Sequence, residues 1–210
     1  MKKLSELVPS EESLQFRADK KKMKRPTQQN LTAMETMLAN VGYSDTNKDV
    51  YNAIRGYGAL MLDGTAYKGL LLKGDFGIGK SFGVECLAHF FKMPVFKPDD
   101  FAAVAKEFDG NMLDVEHYVI TGGDYFEKPH NIVIDELGSR DKTRTYGETF
   151  DIMADIIDMR YRAFLKYGVI TLVTTNLSDD EIISRYGRRI EDRFHEMFYV
   201  KRVKGNSLRR

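Results

Sequence analysis

The sequence predicts an α/β fold of three layers, with helices on both faces of a central parallel β-sheet. From residue 46 onward, short apolar runs alternate with longer segments of helical period. Strands that are separated by helices pair in parallel, because each helix returns the chain to the end of the sheet where the preceding strand began. A glycine-rich segment between one apolar run and the following helix is the second observation. The length of 210 residues suits one such core with a short extension.

The individual elements follow from the period of their apolar residues. Leu31, Met34 and Leu38 are three and four positions apart, which is typical of a helix. The run 169–174 is apolar and rich in β-branched residues, which is typical of a strand. On this basis the strands cover 69–73, 94–96, 131–134, 169–174 and 198–200, and the helices cover 27–41, 49–62, 81–91, about 99–108, 146–165 and 179–186.

The first 45 residues differ in composition from the rest of the chain. A run of lysines and arginines ends at Pro26, and a single helical segment follows before Gly42. We therefore predict two parts. Residues 1–45 form a helical and basic extension that is a candidate partner-docking segment, and residues 46–210 form the core.

Charge is distributed unevenly along the chain. Lys and Arg total 32 and Asp and Glu total 31, so the formal net charge is only +1. Residues 1–30 nevertheless carry a net charge of +4, residues 185–210 carry +6, and residues 31–184 carry −9. Basic ends of this kind are either solvated surface or a surface that binds the phosphate backbone of a nucleic acid.

Several classes of protein are excluded by composition. One cysteine, Cys86, cannot form an internal disulfide or a cysteine-rich zinc site. The start of the chain has no apolar segment of the kind found in signal peptides. No apolar run approaches the roughly 20 residues that a membrane span needs. We expect a cytoplasmic protein that has no membrane partner.

Residues 74–81 match the pattern G-x-x-x-x-G-K-[ST], directly after a predicted strand and before a predicted helix. Glycines let the backbone approach a polyphosphate closely, and the amides at the helix N-terminus bind its oxygens. Lys80 would reach the β- and γ-phosphates, and the Ser81 hydroxyl would bind Mg²⁺. The predicted nucleotide-binding residues are Gly74, Asp75, Phe76, Gly77, Ile78, Gly79, Lys80, Ser81 and Phe82.

An apolar run at 132–134 ends in Asp135 and Glu136. A strand that ends in acid places a carboxylate beside the phosphate loop of the same sheet. Asp135 would hold Mg²⁺ through water, and Glu136 would orient and polarise an attacking water molecule. The adjacent glutamate favours hydrolysis over nucleotide binding alone.

Polar and basic residues follow the next strand. Asn176 can hydrogen-bond the γ-phosphate and the attacking water, or it can cap the turn that follows. Four arginines then occur between residues 185 and 193. A guanidinium aimed at the γ-phosphate stabilises the charge of the transition state, as an arginine finger does. The alternative role for any one of them, such as Arg193, is an ion pair with a nearby carboxylate.

In this order the motifs resemble those of the AAA+ ATPases of the bacterial and phage replicative helicase loader family, DnaC and DnaI, to which IstB is related. The resemblance covers roughly residues 46–210. Its most specific parts are T-T-N-L-S-x-x-E-I at 174–182, R-Y-G-x-R-I-x-D-R-F at 185–194 and G-N-S-L-R-R at 205–210.

The resemblance implies an α/β three-layer P-loop NTPase core of the AAA+ (ASCE) type, without a C-terminal helical lid. It implies an ATPase that depends on Mg²⁺ and acts in DNA replication. The implied partners are a hexameric replicative helicase, single-stranded DNA and further copies of the chain in an AAA+ oligomer. The residues that match the family's active site are Lys80, Ser81, Asp135, Glu136, Asn176 and, as the finger supplied by a neighbouring subunit, Arg193 or else Arg189.

Three alternatives remain open at this stage. The same core would serve an IstB-like ATPase that regulates a DNA transposase. A small-molecule or nucleotide kinase would share the phosphate loop, although no acceptor-site pattern is visible in the sequence. A DNA-binding adaptor that uses ATP only as a structural ligand is disfavoured by Lys80, Asp135, Glu136 and Asn176 occurring together.

Overall fold

The computed structural model describes residues 28–40, 47–123, 128–139, 143–145, 148–150 and 152–208. Within these ranges lie seven strands and eight helices. The strands are β1 (Gly69–Lys73), β2 (Val95–Phe96), β3 (Ile132–Leu137), β4 (Thr143–Thr145), β5 (Glu148–Phe150), β6 (Thr171–Thr175) and β7 (Phe198–Arg202). The helices are α1 (Gln28–Asn40), α2 (Lys48–Leu62), α3 (Lys80–Phe91), α4 (Pro98–Glu107), α5 (Met112–Thr121), α6 (Ile152–Tyr167), α7 (Asp179–Tyr186) and α8 (Arg188–Met197).

Five strands form one parallel sheet in the order β2-β3-β6-β1-β7. β6 lies between β1 and β3, and Thr175 at its end is in register with Lys73 of β1 and with Leu137 of β3. The carboxyl ends of these three strands therefore lie side by side at one edge of the sheet. In parallel α/β sheets, this edge is where ligands bind.

The sheet separates two apolar cores, and β1 contributes to both. Leu70 and Leu72 pack with residues of α1, α2 and α3, whereas Leu71 packs with residues of α4 to α8. Successive side chains of a strand point to opposite faces, so one short apolar run supplies both layers. The predicted three-layer fold with a central parallel sheet is confirmed.

The N-terminal helix belongs to the folded body. Met34 and Leu38 of α1 are completely buried, and they pack in the same core as Ile54 of α2 and Leu87 of α3. The helix predicted at 27–41 is thus present, whereas the charged run that ends at Pro26 lies outside the described residues. The division of the chain at residue 46 stays a prediction.

The helix predicted at 146–165 is wrong at its start. β5 pairs antiparallel with β4 in a separate two-stranded sheet, and α6 begins only at Ile152. Helical period alone could not detect this, because the pairing satisfies the backbone of 148–150 through another segment of the chain. Helix α5 was not predicted, although the Asn111 side chain caps it by accepting a hydrogen bond from the Leu113 amide.

A buried arginine joins the amino ends of β3 and β6. The guanidinium of Arg160, on α6, is completely buried and donates to the hydroxyl of Thr171 and to the carbonyls of Ile170 and His130. It also donates to the carbonyls of Val119 and Ile120 at the end of α5. Burial lowers the pKa of Arg160 to about 9, which leaves it protonated at neutral pH. The charge is accommodated because all its partners are acceptors.

Beyond β7, the described residues 203–208 form no helix. They run instead beside the phosphate loop, where the Leu208 amide donates to the Gly77 carbonyl at 2.9 Å. No helix among the described residues is both long enough and apolar enough to cross a membrane.

Candidate nucleotide-binding site

The phosphate loop connects β1 to α3 at the carboxyl edge of the sheet. Gly77 and Gly79 have φ angles of 77° and 96°, a region of backbone conformation in which a side chain is strained. Gly79 is also the residue from which α3 starts, so the amides of the first helical turn face the loop. Free amides at a helix N-terminus attract anions, and the macrodipole adds to this attraction. The loop thus has the backbone of an anion site.

Side chains of the loop differ in exposure. Ile78 is buried in the core with α2 and α3, and Asp75 is exposed. Phe76 is 71% exposed and Phe82, in the first turn of α3, is 39% exposed. Ser81 is half-buried in that same turn. One exposed aromatic ring thus lies in the loop and a second lies just after it.

Lys80 lies inside the loop and is 93% buried, with 7% of its surface exposed. Its ammonium group donates to the carbonyls of Gly74 and Asp75 at 2.7 and 2.6 Å. It also donates to Oδ1 of Asn176 at 2.6 Å. Asn176 directly follows β6, so this contact joins two residues that are 96 positions apart in the chain.

Asp135 lies one strand further along the same edge. It is 1% exposed, and its Oδ1 accepts a hydrogen bond of 2.5 Å from the hydroxyl of Thr174 on β6. Within the described residues, no cationic side chain forms an ion pair with it. A buried carboxylate without a counter-charge is costly unless a cation binds there. This observation fits a site for Mg²⁺, whose preferred ligands are oxygen atoms.

Glu136 has an unusual backbone conformation. Its φ angle is +58°, at the point where the pairing of β3 with β6 shifts register. For a residue with a side chain, such a conformation costs about 1–3 kcal/mol, and it is found mostly at functional sites. The Glu136 amide donates to the Thr174 hydroxyl at 2.9 Å, and its carboxylate lies 3.7 Å from Nζ of Lys97. The bulge therefore sends the side chains of Asp135 and Glu136 into different surroundings.

Three contributors to this site were not predicted from the sequence. Thr174 links Asp135 to Glu136 through one hydroxyl. Arg185 of α7 donates to the carbonyl of Gly138, just after the acidic pair. Lys97 lies near Glu136. Thr174 could have been identified, because it is the last residue of the predicted strand 169–174 and lies two positions before Asn176. Arg185 belongs to the arginine-rich segment 185–193, but neither its contact with Gly138 nor the position of Lys97 gives a local signal, because both join segments that are distant in sequence.

The two candidate finger arginines lie elsewhere, on α8. Arg193 forms an ion pair with Asp158 of α6, and its guanidinium stacks 4.7 Å from the ring centre of Tyr161. Its side chain is 17% exposed, and burial lowers its pKa. The Arg189 side chain is 75% exposed, with a nitrogen 3.6 Å from the same aspartate. Neither has a described contact with Lys80 or Asn176, so this chain alone does not bring them to the loop.

No protein-family model matches the sequence, and a comparison with curated proteins finds no match. Solved structures do match it. The crystal structure of DnaI has a TM-score of 0.58 at 19% identity, over 80% of this chain and 90% of that chain. A protein from Streptococcus pyogenes serotype M3 that is proposed to be a primosome component has a TM-score of 0.51 at 20% identity, over 79% and 87%.

The replication initiator DnaA, in a structure with AMPPCP and single-stranded DNA, has a TM-score of 0.53 at 14% identity. That match covers 80% of this chain but only half of the DnaA chain. At these identities the similarity shows the fold. The chain shares the three-layer α/β fold of these structures, which is the fold class that the sequence predicted.

Proposed function

We propose that this protein binds and hydrolyses ATP and acts in DNA replication, by delivering a hexameric replicative helicase onto single-stranded DNA. The observation that carries the proposal is the contact of Lys80 with Asn176, together with the buried carboxylate of Asp135, which forms no ion pair with any described residue. A nucleotide-binding core with a polar side chain after β6 is suited to hydrolysis. The likeness of the fold to DnaI supports the replication role.

The residues of the loop would divide the work on the triphosphate. Backbone amides at the start of α3 would bind the phosphate oxygens. Lys80 would exchange the carbonyls of Gly74 and Asp75 for the β- and γ-phosphates, because phosphate oxygens carry more negative charge than carbonyls. Asn176 would then contact the γ-phosphate and the attacking water.

The acidic pair would act on the metal and on the water. Ser81 and Asp135 are the residues that would hold Mg²⁺, and the chemistry that this ion supplies is neutralisation of phosphate charge. Glu136, 35% exposed at its side chain, would orient and polarise the water for attack. In the structure its carboxylate lies 3.7 Å from Nζ of Lys97.

An arginine from a second copy would complete the site. Charge develops on the γ-phosphate in the transition state, and the only described cation in the loop is Lys80. Arg189 and Arg193 are the candidates for this finger. Arg189 is the more available of the two, because Arg193 is held by Asp158 and Tyr161 within its own chain. The proposal therefore includes self-association into an AAA+ oligomer.

The basic end of the chain is the proposed contact for single-stranded DNA. Lys201, Arg202 and Lys204 are exposed at and beyond the end of β7. Lysine and arginine bind the phosphate backbone without regard to sequence, so such binding weakens steeply as salt is added.

Hydrolysis is tested by comparing Glu136→Gln with the unchanged protein. We expect ATP binding to be retained and the steady-state rate of phosphate release to fall by about a hundredfold or more, because only the group that activates water is lost. Equal rates would contradict the assignment of Glu136. Phosphate transfer to an added nucleoside monophosphate or sugar would instead favour a kinase.

The partner is tested by co-purification with the replicative helicase and with a transposase, each with ATP and without it. We expect the helicase to be retained in an ATP-dependent manner, and the retention to be lost in Lys80→Ala. Retention of the transposase alone would favour the IstB-like alternative, and it would leave the ATPase assignment intact.

A further inference from the structure

We propose that Asn47 and the C-terminal strap, residues 203–208, fix the conformation of the phosphate loop by donating hydrogen bonds to its carbonyl groups. The inference rests on the proposed nucleotide binding and adds to it a set of positioning residues outside the loop motif. These residues would raise the affinity for the phosphate chain of the nucleotide without touching it.

Asn47 occupies the N-cap position of α2, yet its side chain does not cap that helix. An asparagine at this position ordinarily accepts a hydrogen bond from the amides of the first turn. Here Asn47 is 2% exposed, and its Nδ2 donates to the carbonyl of Ile78 at 2.9 Å, 31 residues further along the chain. The side chain therefore donates to the phosphate loop and does not cap its own helix.

The strap continues the chain beyond β7 and contacts both the loop and Asn47. The Val203 amide donates to the Lys73 carbonyl at 2.8 Å, and the Leu208 amide donates to the Gly77 carbonyl at 2.9 Å. Between them, Gly205 passes so close to Asn47 that a Cβ atom at residue 205 would lie 2.2 Å from Oδ1 of Asn47. Only glycine permits this approach without displacement of a neighbour.

The consequence follows from the planarity of the peptide bond. In a trans peptide unit, the carbonyl of one residue and the amide of the next point in opposite directions. Because Leu208 binds the Gly77 carbonyl from the strap side, the Ile78 amide must point away from the strap. Because Asn47, which packs against the strap at Gly205, donates to the Ile78 carbonyl, the Gly79 amide must point away from Asn47. Two consecutive amides are thereby oriented together, which is the arrangement that binds an oxyanion.

Glycines make this external support necessary. Gly77 and Gly79 have positive φ angles, and glycine is the residue that loses the most conformational freedom on ordering. A loop of this kind would sample other peptide orientations if nothing held its carbonyls. The strap and Asn47 would remove this freedom before the nucleotide binds, which is preorganisation.

The decisive variant is Leu208→Pro, with Leu208→Ala as its matched control. Proline removes the amide of residue 208, which donates to Gly77, whereas alanine keeps this amide. Both variants lack the half-exposed leucine side chain, so they differ in the hydrogen bond. We expect the dissociation constant for ADP, measured by calorimetry, to rise about five- to tenfold in Leu208→Pro relative to the control, the effect of one lost hydrogen bond. Binding of inorganic tripolyphosphate should weaken by a similar factor, and the thermal midpoint without ligand should match that of the control.

A second pair of variants tests the other support. Gly205→Ala should weaken ADP binding by a similar factor, because its Cβ displaces Asn47. Its control is Gly56→Ala in α2, where a Cβ would have no neighbour within 4 Å. If the unchanged protein binds ADP and the two variants of each pair bind ADP equally tightly, this inference would be overturned. The proposed function would not be affected by that result. Failure of the unchanged protein to bind ADP would overturn the proposed function and this inference with it.

Discussion

Two buried cationic side chains lie at opposite ends of the same sheet. Arg160, at the amino ends of β3 and β6, is completely buried, and its guanidinium makes five hydrogen bonds to one hydroxyl and four carbonyls. Lys80, at the carboxyl ends of β1 and β6, is 7% exposed and binds two carbonyls and one amide oxygen. Both cations are thus held mainly by uncharged oxygen atoms of the fold.

The difference between the two ends lies in what can replace those partners. The acceptors of Arg160 lie at or just before the amino ends of two paired strands and at the end of a helix, so their replacement would require these elements to separate. The partners of Lys80 belong to a glycine loop and to a side chain beyond a strand, and under the proposed function phosphate oxygens would replace them. The same chemistry would therefore give a permanent clamp at Arg160 and an exchangeable site at Lys80.

The largest effect is expected at the clamp. Arg160→Met should lower the free energy of unfolding by about 3–5 kcal/mol, because several buried carbonyls lose their donor at once. ATP turnover by the fraction that remains folded should be unchanged. The measurement is denaturant unfolding at neutral pH. The control is Arg162→Met, two residues away and half-exposed, which should cost about 1 kcal/mol or less.

The converse is expected at the exchangeable site. Lys80→Ala should lower ATP hydrolysis by about a hundred- to thousandfold, because the donor to the β- and γ-phosphates is lost. The thermal midpoint without nucleotide should change by less than ~3 °C. A variant that keeps full turnover would show that Lys80 is a second structural cation, and the contrast with Arg160 would disappear.

A smaller effect is expected for Thr174, whose one hydroxyl contacts both Asp135 and Glu136. Thr174→Val removes the donor to Asp135 and the acceptor of the Glu136 amide together. We expect a loss of about 1–2 kcal/mol in unfolding free energy and about tenfold in hydrolysis rate. Thr174→Ser keeps the hydroxyl and should retain both properties. Loss of stability without loss of turnover would show that Thr174, like Arg160, contributes to the fold and not to hydrolysis.

The smallest effect is expected at Asp179, at the first turn of α7. Hydrogen bonds from Lys73 and Arg202 hold the pKa of Asp179 below its ordinary value. A lowered pKa means stabilisation that is fully present above about pH 4 and is lost as the pH falls through the folded-state pKa. Asp179→Asn should thus cost about 1 kcal/mol at pH 7, since the carboxylate is half-exposed and screened.

The measurement is the difference in unfolding free energy between the unchanged protein and Asp179→Asn, followed from pH 7 to pH 2.5. The difference should shrink toward the acidic end. A constant difference over this range would show that the ion pairs with Asp179 do not contribute to stability.

Much of the fold and of the site is predictable, because the relevant signals are local. The pattern of residues 74–81 and the acidic end of β3 each lie within one short segment. The uninterrupted apolar run of Leu70, Leu71 and Leu72 predicts a buried strand, and the structure buries it on both faces. The start of α6 was mispredicted because β5 pairs with β4, a contact between segments that the helical period cannot reveal.

Local sequence was enough to predict the alternation of strands and helices, the glycine-rich loop between β1 and α3, and the candidate residues at the carboxyl ends of β3 and β6. It could not establish which side chains meet. Asn176 reaches Lys80, Asn47 reaches Ile78, and Arg193 is held by Asp158 through contacts between distant segments. Contacts of this kind depend on the order of the strands in the sheet and on the packing of the helices. Strand order cannot be determined from any single segment of the sequence.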